Sequence, residues 1–230
     1  KIILGLSGFM SAIGTVMLPK VSRMTRMKQF AAVQRHIRLS MELVMCMVCA
    51  MAFGLAAVAV NFAPLFYGDD FSYSGTLMMP LAFTLLSIGF ANVIRTQWVL
   101  PQGRDTIFVH SVLTGAIINL IANFVLIPPF GAMGAAAATV LAEFSVPAVQ
   151  FVYLRKELPY AQYLKTTGIY CLFGLMMAGV VALLGHVLPL HGWGKLAVQV
   201  IGGAAVYGAL CLTYWKLAKR SDIFRLMRRK

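Results

Sequence analysis

The chain has 230 residues, of which 60% are hydrophobic and only 12% charged, with a mean hydropathy of +0.81. Soluble domains carry about 25% charged residues, so this composition excludes an ordinary water-soluble enzyme, a disordered tail and a disulfide scaffold. The net charge of +13 would suggest nucleic acid on a soluble chain, but here the cations lie between apolar runs and set orientation in a membrane.

A helix needs about 20 apolar residues to cross the hydrocarbon core. Seven runs qualify, at about 2–19, 39–60, 77–97, 108–127, 131–154, 168–188 and 195–216. They are continuous rather than alternating, which excludes the strands of a membrane barrel. The expected fold is therefore all-α, a polytopic bundle of seven spans. The chain starts at Lys1 without an initiator Met and runs straight into the first apolar segment, with no basic region or cleavage site before it. This predicts a fragment of a longer protein rather than a signal peptide.

The loops predict topology. Lys20, Arg23, Arg26, Lys28, Arg35 and Arg38 follow the first run, and Arg95 and Arg104 follow the third. Arg155, Lys156 and Lys165 follow the fifth, and Lys216, Lys219, Arg220, Arg225, Arg228, Arg229 and Lys230 follow the seventh. The alternate loops hold only Lys195, and Lys1 is at the outer end. Cationic loops stay cytoplasmic, so the N-terminal end is expected outside and the C-terminus inside, with 216–230 a basic cytoplasmic tail. That tail serves as a topology anchor or as a lipid-headgroup site. Segment 20–38 is either a short helix on the anionic inner leaflet or a solvated connector. Gly68-Asp69-Asp70 reads as a turn.

Within the first run, Gly5, Gly8, Ala12 and Thr15 form a small-residue stripe suited to close helix packing. Gly131, Gly134, Ala135 and Ala138 do so on the fifth run, and Gly174, Ala178, Ala182 and Gly185 on the sixth. Polar residues are more informative, because they are costly in hydrocarbon. Thr84, Ser87, Ala91, Asn92 and Arg95 share one face of the third run, and Ser111, Gly115, Asn119 and Asn123 make a row on the fourth. These faces either bond to each other or line a wet cavity, and Arg95 either joins them or snorkels to headgroups.

Glu143 is the one carboxylate near the middle of a run, whereas Glu42 and Glu157 fall at cytoplasmic ends within reach of water. A mid-membrane carboxylate must be protonated, paired or in a water-filled cavity. Pro147 leaves the Glu143 carbonyl without its helical donor, so a kink is expected there, and a broken helix beside a midplane carboxylate is a device for ion or substrate sites. Cys46, Cys49, Cys171 and Cys211 lie in apolar runs and read as small apolar residues. No His or Cys spacing suits a metal, no glycine-rich phosphate loop is present and no nucleophile–base pair is visible, so no metal, no cofactor and no enzymatic chemistry is expected.

Two stretches carry a family resemblance. Residues 15–22 read TVMLPKVS, and residues 92–143 read NVIRTQWVLPQGRDTIFVHSVLTGAIINLIANFVLIPPFGAMGAAAATVLAE. Their pattern, TQxxLPxGR followed by GAxxNxxxNxxLIPxxGAxGAAxAT and AE, resembles the C-terminal half of polysaccharide flippases of the multidrug/oligosaccharidyl-lipid/polysaccharide exporter superfamily. The resemblance implies a bacterial cytoplasmic-membrane protein in which two bundles form a V around a cavity that opens alternately to each side. It implies a polyprenyl-pyrophosphate-linked saccharide as substrate, membrane lipids as surroundings, an N-terminal bundle absent from this chain, and the polysaccharide polymerase machinery as a further partner. In that frame Arg95 and Arg104 meet the pyrophosphate, Asn92, Gln97, Asn119 and Asn123 bond to sugars, and Glu143, beside the Pro147 kink, couples a proton or pairs with a cation. A cation-coupled multidrug exporter and a peptidoglycan-precursor flippase are alternatives within the superfamily. Outside it stand a membrane glycosyltransferase or polymerase, whose polar charged outer loops this chain lacks, and an assembly subunit made of this half alone.

Overall fold

The structure, a computed structural model, describes residues 2–187 and 192–217. The expected basic tail beyond 217 lies outside the described residues. The chain folds into helices α1 (Ile2–Arg26), α2 (Phe30–Tyr67), α3 (Ser72–Ala82), α4 (Thr84–Ile94), α5 (Asp105–Leu154), α6 (Tyr160–Val187) and α7 (Gly192–Leu217). No strand occurs among the described residues. Five helical stretches among them, Phe30–Tyr67, Asp69–Gln102, Asp105–Leu154, Tyr160–Val187 and Gly192–Leu217, are long and apolar enough to cross a membrane.

Helix α2 is the central post and packs against α1, α3, α4, α6 and α7. Its buried residues Val33, Ile37, Met41, Val44, Met45 and Val48 recur every three or four positions and form one continuous core stripe. The helix starts nine residues before the apolar run, and α1 continues through Pro19 to Arg26. Segment 20–38 is therefore neither a separate surface helix nor a connector. Its residues extend two helices that meet in a tight turn, where Lys28 adopts a left-handed conformation. This extension also corrects the placement of Glu42, which is buried to 2% exposure in the bundle rather than at a wet end. Its carboxylate accepts from Tyr170 Oη at 3.3 Å, and Trp215 Nε1 donates to that same hydroxyl at 2.8 Å.

The fourth and fifth apolar runs form a single hairpin. Gly131, at φ 54° and ψ −130°, breaks the dihedral pattern of α5, and Pro128 and Pro129 stand just before it. Glycine alone adopts that backbone readily. Gly131 is thus a turn residue and not part of a packing stripe. The arms run side by side: Gly115 lies against Ala142 and Val146, and His110 Nδ1 is 3.0 Å from Tyr153 Oη. Near the turn, a Cβ on Gly134 would stand 2.0 Å from the Leu126 carbonyl oxygen. The hairpin packs on α3 and α4 and leaves a wide apolar face exposed, with Phe124 at 75%.

The third run is the irregular one. It divides into α3 and α4 at Phe83, then widens and tightens in turn: a π-helical turn over Arg95–Val99 precedes a 3-10 turn over Leu100–Gln102. Of the stripe expected on α1, Gly5 and Gly8 have no described neighbour within 4 Å of a Cβ placed there. Packing of α1 uses Gly14, where a Cβ would lie 3.0 Å from Thr96 Cγ2 and 3.3 Å from Asn92 Nδ2. On α6, Gly174 and Gly185 admit the Phe53 ring and the Gln199 amide.

Gly134→Ala is expected to lower stability by about 1–3 kcal/mol, because the intruding methyl group meets backbone that cannot rotate away. Thermal unfolding in detergent checks this, with Gly8→Ala expected to stay within about 0.5 kcal/mol of the parent.

Candidate functional site

The site begins with a backbone problem. Pro147 has no N–H, so the Glu143 carbonyl four residues earlier lacks its helical donor. Ser87 of α4 supplies one, its hydroxyl donating to that carbonyl. With the carbonyl satisfied from outside, helical φ and ψ continue through Pro147. The irregular backbone falls instead on the neighbouring helix, in the π turn that opens at Arg95, where Leu100 N–H reaches back to the Arg95 carbonyl. Single π turns in α-helices are frequent at functional sites.

Between α4 and the two arms of α5 lies a cavity of about 430 Å³. Asn92 lines it from α4, Arg95 from the start of the π turn that follows, Asn119 from one arm, and Glu143 and Gln150 from the other. Four of the expected site residues thus meet in one place. Arg95 is held in position: its guanidinium donates to Asn92 Oδ1 at 2.9 Å and sits 5.0 Å over the Phe108 ring. Its Nε is buried without a hydrogen-bond partner. Among the described residues Arg95 makes no ion pair, and the Glu143 carboxylate makes no hydrogen bond or ion pair.

The remaining expected residues lie apart. Asn123 does not line the cavity but donates to Asn119 Oδ1 at 2.9 Å, one step behind it. Gln97 is 1% exposed inside the π turn, outside the cavity lining. Arg104 pairs with Glu157 at 2.6 Å, also away from the cavity. Sequence reasoning missed Gln150, which is 1% exposed with its Oε1 unpartnered. The signal was present: Thr139, Glu143, Val146 and Gln150 recur at helical spacing and share the face that lines the cavity.

Among the described residues no group of three or more His, Cys, Asp or Glu is placed to hold a metal. The cysteines are free and join the core, with Cys46 Sγ 3.6 Å from Cys211 Sγ and Cys49 Sγ 3.8 Å from Cys171 Sγ.

The cavity is thus a mostly apolar recess with one held arginine, one carboxylate and three amides in its wall, between an irregular helix and a hairpin of a multi-pass bundle. The family model described as "Lipid II flippase MurJ" matches residues 2–202. The chain belongs to the MurJ family. A solved structure titled "Lipid II flippase MurJ, inward closed conformation" superposes with a TM-score of 0.77 at 17% identity, covering 93% of this chain and 45% of that one. Two curated relatives are 23% identical. One is "Probable low-salt glycan biosynthesis flippase Agl15" of Haloferax volcanii, matched over 90% of this chain and 43% of its own length. The other is "Putative O-antigen transporter" of Shigella dysenteriae, matched over 58% and 33%. The chain thus spans less than half the length of these relatives. The resemblance to flippases of this superfamily read from residues 92–143 agrees with all three.

In this MurJ-family chain the Arg104–Glu157 pair closes the π-turn end of the third run onto the α5–α6 connection. Trp98 Nε1 donates to the same Glu157 oxygen at 3.0 Å. Partial burial pushes the Glu157 carboxyl up, but the hydrogen bonds from Arg104 and Trp98 outweigh it, and the group is held below the ordinary carboxylate range. A depressed folded pKa contributes stability above the unfolded value and loses it as pH falls through the folded value. Both side chains are about a third exposed, so the contribution is that of a surface pair, about 0–1 kcal/mol. Glu157→Gln is therefore expected to lower the unfolding temperature slightly at neutral pH. Parent and variant should converge once the pH is well below about 4, as followed by thermal unfolding in detergent across pH.

Proposed function

We propose that this chain forms one bundle of a flippase that moves polyprenyl-pyrophosphate-linked oligosaccharides across the cytoplasmic membrane for surface polysaccharide assembly. The seven apolar runs are its spans, with the N-terminal end outside, the C-terminus inside and a second bundle completing the V. Family membership and the glycan flippases among the relatives support this reading. So does the charge pattern of the loops, which an odd number of spans divides cleanly between two sides.

The observation that carries the substrate class is Arg95. It lines the cavity held by Asn92 and Phe108, and among the described residues it makes no ion pair. A desolvated guanidinium without an ion partner is costly, and a phosphate oxygen is the ligand its planar fork fits best. Gln150 and Asn119 line the same cavity as hydrogen-bonding groups suited to sugar hydroxyls. Glu143 adds a carboxylate that takes or releases a proton, or meets a cation, as the cavity changes side. Arg104, committed to Glu157, acts on the architecture rather than on substrate in this reading. The lining holds one aromatic ring, Phe108, lying under the arginine, which disfavours a cavity for cationic drugs.

A second reading, a peptidoglycan-precursor flippase, is favoured by the description of the matching family. It shares the pyrophosphate and differs in the saccharide, so assays with each lipid-linked substrate separate the two.

Losing a charge-assisted contact to phosphate costs about 1.5–3 kcal/mol, a factor of roughly ten to a hundred. Arg95→Gln in the full-length protein, reconstituted in proteoliposomes, is expected to slow translocation of a lipid-linked saccharide by that factor, with Arg95→Lys intermediate. Glu143→Gln is expected to impair turnover while leaving thermal unfolding within about 1 kcal/mol of the parent. Parental rates in both Arg95→Gln and Glu143→Gln would remove the cavity from the mechanism.

A further inference from the structure

A polar recess of about 570 Å³ shares no lining residue with the cavity and includes Glu157 of the Arg104–Glu157 pair in its wall. Ala31, Gln34, Arg35 and Arg38 line it from the first turns of α2, and Lys156, Pro159 and Gln162 from the α5–α6 connection and the start of α6. Three cations and two amides thus converge on one concave surface. The one acidic residue in the lining is Glu157, and its carboxylate oxygen is engaged by Arg104 and Trp98. The Glu157 charge is therefore met by Arg104 from outside the lining, and the described side chains of the recess carry more positive than negative charge. Two helix N-termini add their positive ends, since the lining begins one residue into α2 and includes the first turn of α6.

The recess has a fixed shape. Gln34 Nε2 donates to the Glu157 carbonyl at 3.2 Å and so ties α2 to the connection. Buried Leu158 and Tyr160 anchor the connection in the core. It also has a definite depth. Arg38 immediately precedes the second apolar run, and Lys156 closely follows the fifth. The recess therefore lies at the border of the apolar belt, level with lipid headgroups.

We propose that this recess is a binding site for the phosphate group of an anionic phospholipid headgroup, with Arg38 and Lys156 as its principal ligands and Arg35, Gln34 and Gln162 around them. Spread basic loops would attract anionic lipid diffusely, whereas a shaped recess retains one molecule. The site is separate from the substrate cavity and does not depend on which saccharide is carried.

The test is native mass spectrometry of the delipidated full-length protein titrated with phosphatidylglycerol or phosphatidylcholine. The expected result is one phosphatidylglycerol retained preferentially over phosphatidylcholine. Its affinity should fall roughly tenfold or more in Arg38→Gln/Lys156→Gln. It should be kept in Arg38→Lys/Lys156→Arg, and kept in Arg23→Gln/Arg26→Gln, which removes equal charge from exposed positions of α1 outside the recess. Equal losses in the two Gln pairs would overturn the proposal in favour of diffuse surface charge. Displacement of the lipid by inorganic phosphate would overturn it in favour of a soluble anion. Thermal unfolding of each variant verifies that the bundle is intact.

Discussion

The Glu143 carbonyl, freed by Pro147 and taken by the Ser87 hydroxyl, is the contact on which the arrangement around the cavity depends. In hydrocarbon no water is available for a stranded carbonyl, so the partner must come from protein. Ser87 meets that need across helices and fixes α4 against the second arm of the hairpin. Two turns further along α4, the same register brings Asn92 and Arg95 to face Glu143, Gln150 and Asn119. A demand of backbone chemistry thereby sets the position of the polar side chains.

Around that contact the bundle divides its labour. Helix α2, with α6 and α7, forms a dense core that includes the thiol pairs and the Glu42–Tyr170–Trp215 chain. The α5 hairpin stands at the side, touching α3 and α4 and exposing its apolar face. The hairpin is thus the less buried element, and the core beside it the denser one. The π turn at Arg95 belongs to the same logic, because its irregular backbone is covered by α1 and α2 rather than left to lipid.

Much of this was legible from the residues. Apolar run lengths located the helices, and helical spacing grouped Asn92 and Arg95 on one face and Asn119 on another. The quoted motifs pointed to the superfamily. What escaped was whatever depends on which helices are neighbours. The partner of the carbonyl that Pro147 frees escaped, because the hydroxyl that takes it sits 60 residues before the proline. Glu42 was read as wet because the apolar run starts at 39, whereas the helix starts at Phe30 and carries Glu42 three turns in. Gly131 looked like one more small residue in a stripe, and its positive φ, not its size, is what the fold uses. Arg104 looked equivalent to Arg95, but among the described residues one pairs with a carboxylate and the other does not.

The central claim is that the α4–α5 cavity holds the pyrophosphate-linked substrate. Site-specific photocrosslinking tests it most directly: a photoreactive side chain at Ile88, in the cavity lining, against one at Leu172, exposed on α6. With the full-length protein in membranes containing labelled polyprenyl-pyrophosphate saccharide, the account predicts saturable capture at Ile88, competed by unlabelled substrate, and only non-competable background at Leu172. Equal, non-competable labelling at the two positions would contradict it.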